Sequence, residues 1–218
     1  MNKSMRQYFS LILYGLAISV VWGLYVLYGL SWGLPNTSSL AADASAIPRP
    51  HYSGLDMMQQ NVYKYPPLQY LLFEQISKSK PKSTYTSDEI LSISTKRLIL
   101  FRVLTAMMVL GSGFLIFFIS KLWMPAWAGL LASFLYLSQG LSVYYAHTTN
   151  LDQPYVFWWL LSFLGLSLYI RELFLDHIKK TRVLITVGGV FLFSIGLFLS
   201  VATKDQAYIL KLNEKSGM

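Results

Sequence analysis

Five stretches of the chain are apolar over about the same length: Tyr8 to Leu30, Leu98 to Ser120, Ala126 to Tyr145, Pro154 to Ile170 and Val183 to Thr203. Only the second carries a charged side chain, Arg102. Each is close to the ~20 residues that a helix needs to cross a hydrocarbon core. Lipid offers the backbone no hydrogen-bond partner, so such segments satisfy their own peptide groups as helices. The pattern predicts an all-α, polytopic membrane helix bundle with about five transmembrane helices. The first run is too long for the apolar core of a signal peptide and lacks a small-residue cleavage site, so it reads as a span.

Between the first two runs lies a long polar segment, residues 31–97. Its first part, "LPNTSSLAADASAIPRP", Leu34 to Pro50, has the prolines and small polar residues of irregular chain. "YPPLQYLLFEQI", Tyr65 to Ile76, is different. Its Pro-Pro pair suits a helix start, and Leu68, Leu71, Leu72 and Ile76 follow at helical spacing. Too short to span, it reads as an interfacial helix lying on the membrane surface. Thr86-Ser87-Asp88-Glu89 has the form of a capping box for a helix running into the second span.

Composition agrees with this reading. Hydrophobic residues make up 54% of the chain and charged residues 13%, against roughly 25% charged in soluble domains. There is no cysteine, hence no disulfide and no thiolate metal site. The net charge of +8 is read as topology and headgroup charge, not as a nucleic-acid footprint. Lys3 and Arg6 before the first span place the N-terminus in the cytoplasm. Lys121 and "RELFLDHIKKTR", Arg171 to Arg182, then fall on the inner side as well. The outer segment holds Arg49, Lys64, Lys78, Lys80, Lys82, Lys96 and Arg97, but segments beyond ~60 residues follow the charge rule poorly. The long segment, the wedge "HTTNLDQ" from His147 to Gln153, and Lys204-Asp205 all share the outer face.

On that face several residues have two readings. Asp43 is either a helix N-cap or turn residue, or a general base whose proton affinity is raised by apolar walls. Asp56 is a second acidic candidate with the same alternatives, and His51 reads as a loop histidine. Arg102 sits one turn inside its span, where a charge needs a partner or an anionic ligand, unless it snorkels to the headgroups. Lys204 is an interface anchor or a phosphate contact, with Asp205 neutralising or holding it. His147 and Asp152 are metal-ligand types, but two such residues without a third are a weak signal, and a divalent metal stays open. Asp152 is equally a cap for the fourth helix, with Pro154 in its first turn. The wedge itself reads as a bend between spans.

The acidic residue in the loop after span one, then "KYPPLQYLL", "YYAHTTNLDQPYVFWW" and "ATKDQAY", in that order, carry a resemblance. The chain resembles polyprenyl-phosphate-dependent glycosyltransferases of the GT-C fold over roughly residues 5–210. It is most similar to the bacterial branch related to dolichyl-phosphate-mannose–protein mannosyltransferases, which includes the lipid A aminoarabinose transferase. The resemblance implies inverting transfer of a sugar from a polyprenyl-phosphate donor to a protein, lipid or glycan acceptor at the outer face. It implies Asp43 as catalytic base; Asp56 stays the weaker acidic candidate by its place in the same segment. Lys204 and Arg102 become donor-phosphate contacts, and Asp205, His147 and Tyr65 complete the substrate-binding set. Two features depart from the family pattern. Ala44 stands where many relatives have a second acidic residue, and relatives continue through further spans, so the chain is expected to be the N-terminal part of a longer module. The alternative from composition alone is a non-enzymatic polytopic membrane protein, a transporter or assembly subunit. Transporters place their polar residues at midplane, whereas the ionisable residues here cluster at the outer ends of the spans.

Overall fold

The computed structural model of the 218-residue chain describes residues 3–34, 86–148, 150–174 and 180–203, together with Leu68, Leu71, Leu72 and Gln75. The described residues are almost all helical. α1, Lys3–Trp22, continues into a π-helical turn, Gly23–Leu27. Then come α2, Ser87–Trp123, α3, Ala126–Ser138, and α4, Gly140–Ala146. The last two are α5, Asp152–Leu173, and α6, Lys180–Thr203. Leu68, Leu71, Leu72 and Gln75 are also helical, as the spacing of the three leucines predicts.

Among the described residues four helices are long and apolar enough to cross a membrane, and the bent pair α3–α4 makes five if it crosses as one span. The protein is a polytopic, integral membrane helix bundle. Its outward side chains fit that environment. Tyr8, Leu24, Phe191 and Phe198 are each more than 60% exposed, which only a lipid surround makes favourable on this scale.

Two expected elements differ in detail. The second span is part of a 37-residue helix that starts at the Thr86 cap. Thr86 Oγ1 accepts the Glu89 N–H at 3.3 Å, and the Glu89 carboxylate accepts the Thr86 N–H at 2.9 Å. At 1.5 Å per residue this helix is ~55 Å long, nearly twice the ~30 Å hydrocarbon thickness. Its first turns therefore stand clear of the apolar layer. The expected continuous span at 126–145 is instead broken, α3 and α4 meeting at 59°. Gln139 at the break is extended, with φ −64° and ψ 130°. Ser138 folds its hydroxyl back onto the Phe134 carbonyl at 2.8 Å, and Gly140 follows. Serine that bonds its own backbone and glycine with its entropic cost both favour a break here.

Packing fixes the relative directions. Trp22 Nε1 donates to the Ala106 carbonyl at 2.8 Å, and the Tyr14 and Phe117 rings pack at 5.6 Å, so α1 and α2 are antiparallel. Ser133 Oγ donates to the Gly113 carbonyl at 2.8 Å, tying α3 to α2. Ile18, Val26, Val109, Phe117, Leu137 and Ala146 form the small apolar core between these helices. α6 packs along α5 backbone to backbone. A Cβ on Gly165 would lie 2.4 Å from Phe193 N, and one on Gly196 would lie 2.5 Å from Ser162 N. That register is antiparallel, so the Thr203 end of α6 runs toward the Asp152 end of α5.

One end of the bundle therefore gathers the exit from the first span, Arg102, the end of α4, the start of α5 and the end of α6. The opposite end carries Lys3, Arg6, Lys121, Arg171, Lys180 and Arg182.

Candidate functional site: a clasp around the exit turn of the first span

After the π-helical turn the chain reverses through Tyr28 to Leu34. Gly29 has φ +85° and Gly33 has φ +73°, left-handed conformations in which a side chain would be strained. The tight turns leave main-chain carbonyls without helical partners, and three alternate ones are bound by side chains from elsewhere. Arg102 Nη1 donates to the Leu30 carbonyl at 2.7 Å and to the Trp32 carbonyl at 2.8 Å. A ring nitrogen of His147, Nε2, lies 2.7 Å from the Tyr28 carbonyl. Its other nitrogen, Nδ1, lies 2.7 Å from the Val143 carbonyl in α4.

Arg102 is 2% exposed. A buried cation needs partners, and the free carbonyls at the end of a helix carry partial negative charge that suits one. The partner expected for Arg102 is thus the main chain of residues 30 and 32, and snorkelling to the headgroups is not what the side chain does. Its Nε is buried without a partner. One turn along the same face of α2, the fully buried Thr105 hydroxyl is also unpartnered.

The wedge from His147 to Gln153 is a bend, as the sequence predicts, and it is held by its own side chains. Thr148 Oγ1 donates to the Tyr145 carbonyl at 3.2 Å and accepts the Asn150 N–H at 3.4 Å. Asn150 Oδ1 accepts the Asp152 N–H at 2.9 Å. This corrects the expected capping. The N-cap position is Leu151, with no side-chain cap bond of its own, and Asp152 is the first helical residue. Asn150 supplies the side-chain acceptor because its short amide reaches two residues on, an Asx turn. Asp152 still favours the helix through its charge in the first turn, and Pro154 lies in that turn as expected.

Behind the wedge is a polar contact that no sequence motif announces. Tyr136 Oη donates to Gln153 Oε1 at 2.6 Å, joining α3 to the first turn of α5. The Ser112 and Ser142 hydroxyls lie beside the same phenol, the former without a well-formed hydrogen bond. The available signal is a tyrosine amid leucines just before the Ser-Gln-Gly break.

Of the other candidate residues, Asp43, Asp56, Tyr65, Lys204 and Asp205 lie outside the described residues, as does His51. Among those described, Arg102 and His147 are brought to one turn from two helices, and Asp152 begins the next helix at the same end. Among the described residues no group of three His, Cys, Asp or Glu comes together to hold a metal ion. Compared with protein-family models, curated proteins and solved structures, the chain matches none of them.

Proposed function

We propose that the protein transfers a sugar, with inversion, from a polyprenyl-phosphate donor to an acceptor hydroxyl at the outer face of a membrane. The observation that carries this reading is the sharing of one bundle end. The chain enters the segment bearing Asp43 from a turn held by Arg102 and His147. α6 ends at that same face with Thr203, one residue before Lys204. In this reading Asp43 accepts the proton of the acceptor hydroxyl as its oxygen attacks the anomeric carbon. The bond from that carbon to the phosphate oxygen breaks, and polyprenyl phosphate leaves with its charge stabilised by Lys204. Arg102 anchors the turn through Nη1, and in this reading the rest of its guanidinium supplies positive charge toward the donor phosphate. In the same reading Asp56 is the alternative base, and Tyr65, Asp205 and His147 complete the substrate-binding set.

The basic residues at the opposite end support a cytoplasmic N-terminus, with the clasp outside, under the positive-inside rule. A bacterial inner membrane is the proposed location, with a protein, lipid or glycan as acceptor. One observation favours the non-enzymatic alternative. Nη1 of Arg102 and both nitrogens of His147 face main-chain carbonyls, which is how structural anchors behave.

The test is a transfer assay on the protein in lipid bilayers with a panel of polyprenyl-phosphate sugars. Asp43→Asn is expected to slow turnover by roughly 10²–10⁴-fold with donor binding little changed, and Asp56→Asn to act much more mildly. If Asp56→Asn abolishes turnover while Asp43→Asn does not, the base is Asp56. Absence of transfer from every donor leaves the anchor reading standing.

A further inference from the structure

His147 faces a carbonyl oxygen with each ring nitrogen, at 2.7 Å on both sides. A carbonyl only accepts hydrogen bonds, so each nitrogen must donate for both contacts to be favourable. Neutral imidazole has one N–H, and the imidazolium has two. With one proton gone, a nitrogen lone pair would oppose an oxygen lone pair at hydrogen-bond distance. We propose that His147 is a proton-operated latch: doubly protonated, it clips the end of α4 to the exit turn of the first span, and loss of one proton releases the Tyr28 carbonyl and with it the tie between α4 and that turn.

The two contacts are unequal. Val143 lies four residues back in the same helix, so its contact requires no ordering of distant chain. Tyr28 is 119 residues away, and that contact is the one a neutral ring gives up. The released peptide adjoins Gly29, whose left-handed φ and lack of a side chain let it turn at low cost. Arg102 cannot lose its proton in this way, so the Leu30 and Trp32 carbonyls stay bound. One turn thus has a permanent tie and a conditional one, a few residues apart.

His147 is only half buried, so bulk protons reach it, and histidine is the side chain that ordinarily changes charge between about pH 5 and 8. Of the charged groups on the elements packed around α4, Arg102 on α2 binds the same turn and Asp152 begins α5 at this end of the bundle. Tyr136 and Tyr155 on α3 and α5, Tyr25 and Tyr28 beside the exit turn, and Tyr144 and Tyr145 on α4 are phenols. Phenols ordinarily ionise near pH 10, outside this range. The latch therefore closes as pH falls and opens as it rises. The inference stands on the clasp geometry and does not require the sugar-transfer reading.

The experiment uses the full chain in bilayers with His51→Gln and His177→Gln, leaving one histidine ring. Its nitrogen NMR signals report the protonation state, and spin labels at the exposed positions Tyr28 and Tyr144 report the distance across the clasp, both from pH 5 to 9. The expected result is a narrow distance distribution while both nitrogens are protonated, broadening with the same midpoint as the ring loses a proton. His147→Gln, whose single amide nitrogen replaces only one donor, should give the broad distribution at every pH. A neutral ring with the narrow distribution intact overturns the latch. So does a pH-dependent distance that survives in His147→Gln.

Discussion

The clasp and the α5–α6 hairpin join helices in opposite ways. At the clasp, α1, α2 and α4 meet through a cation and an imidazole that bind main-chain carbonyls. In the hairpin, glycines bring two backbones together, and the cross-helix hydrogen bond from Ser162 Oγ to the Phe193 carbonyl is 3.1 Å long. Burial of apolar surface does not drive association between helices already in lipid, so close fit and polar contacts do. The hairpin relies on the first and the clasp on the second. The hairpin should therefore be intolerant of volume and indifferent to charge, and the clasp the reverse.

The largest effect is expected from added volume in the hairpin. Gly165→Ala or Gly196→Ala places a methyl within 2.5 Å of backbone atoms that cannot move aside locally. Each should destabilise the protein by roughly 3 kcal/mol through forced separation of the helices. Gly188→Ala, where nothing lies within 4 Å, should be neutral or slightly stabilising. Unfolding in mild detergent, followed by helicity, measures all three. Equal losses at positions 165 and 188 would mean that backbone contact is not what joins the pair.

At the clasp, Arg102→Met keeps most of the volume and removes the donor, leaving the Leu30 and Trp32 carbonyls unpaired. The same unfolding measurement should show a loss of about 2–3 kcal/mol. Thr105→Val is the matched control on the same face. It removes a hydroxyl that has no partner and should cost nothing or stabilise. If Arg102→Met is as harmless as Thr105→Val, the turn is held by something other than the guanidinium.

A smaller effect is expected at Thr86. Thr86→Ala should cost about 1 kcal/mol, confined to the part of α2 that stands clear of the apolar layer. Faster amide exchange over the first two turns of α2, with the rest of the helix unchanged, is the expected signature.

The spans, the capping box, Pro154 in the first turn of α5 and the bend at the wedge were legible because each rests on local pattern. Hydropathy over about twenty residues and a four-residue cap require no knowledge of what lies across the bundle. The break at Gln139 was not legible by the same measure, since residues 126–145 carry no charge and read as continuous. Ser138 and Gly140 mark the place only weakly. The clasp was half legible. An arginine inside a span demands a partner, so Arg102 stood out, but its partners are carbonyls 72 and 70 residues away. Every residue has a carbonyl, so nothing in the side-chain alphabet distinguishes Leu30 and Trp32. His147 was similarly visible as a polar residue, and its contact with Tyr28 was not. Capping of α5 by Asp152, one of the two readings open to that residue, does not occur: Asn150 and Asp152 are both good acceptors, and only the geometry of the turn selects between them.

The proposed orientation puts the clasp end and the basic end on opposite sides of a membrane, with the clasp outside. The chain has no cysteine, so single cysteines report sidedness cleanly. Trp32→Cys and Tyr144→Cys sit at exposed positions of the clasp end, and Met124→Cys at an exposed position of the opposite end. In intact cells, a membrane-impermeant thiol reagent is expected to modify the first two, and Met124→Cys only after permeabilisation. Modification of Met124→Cys in intact cells, with Trp32→Cys and Tyr144→Cys protected, would contradict the account.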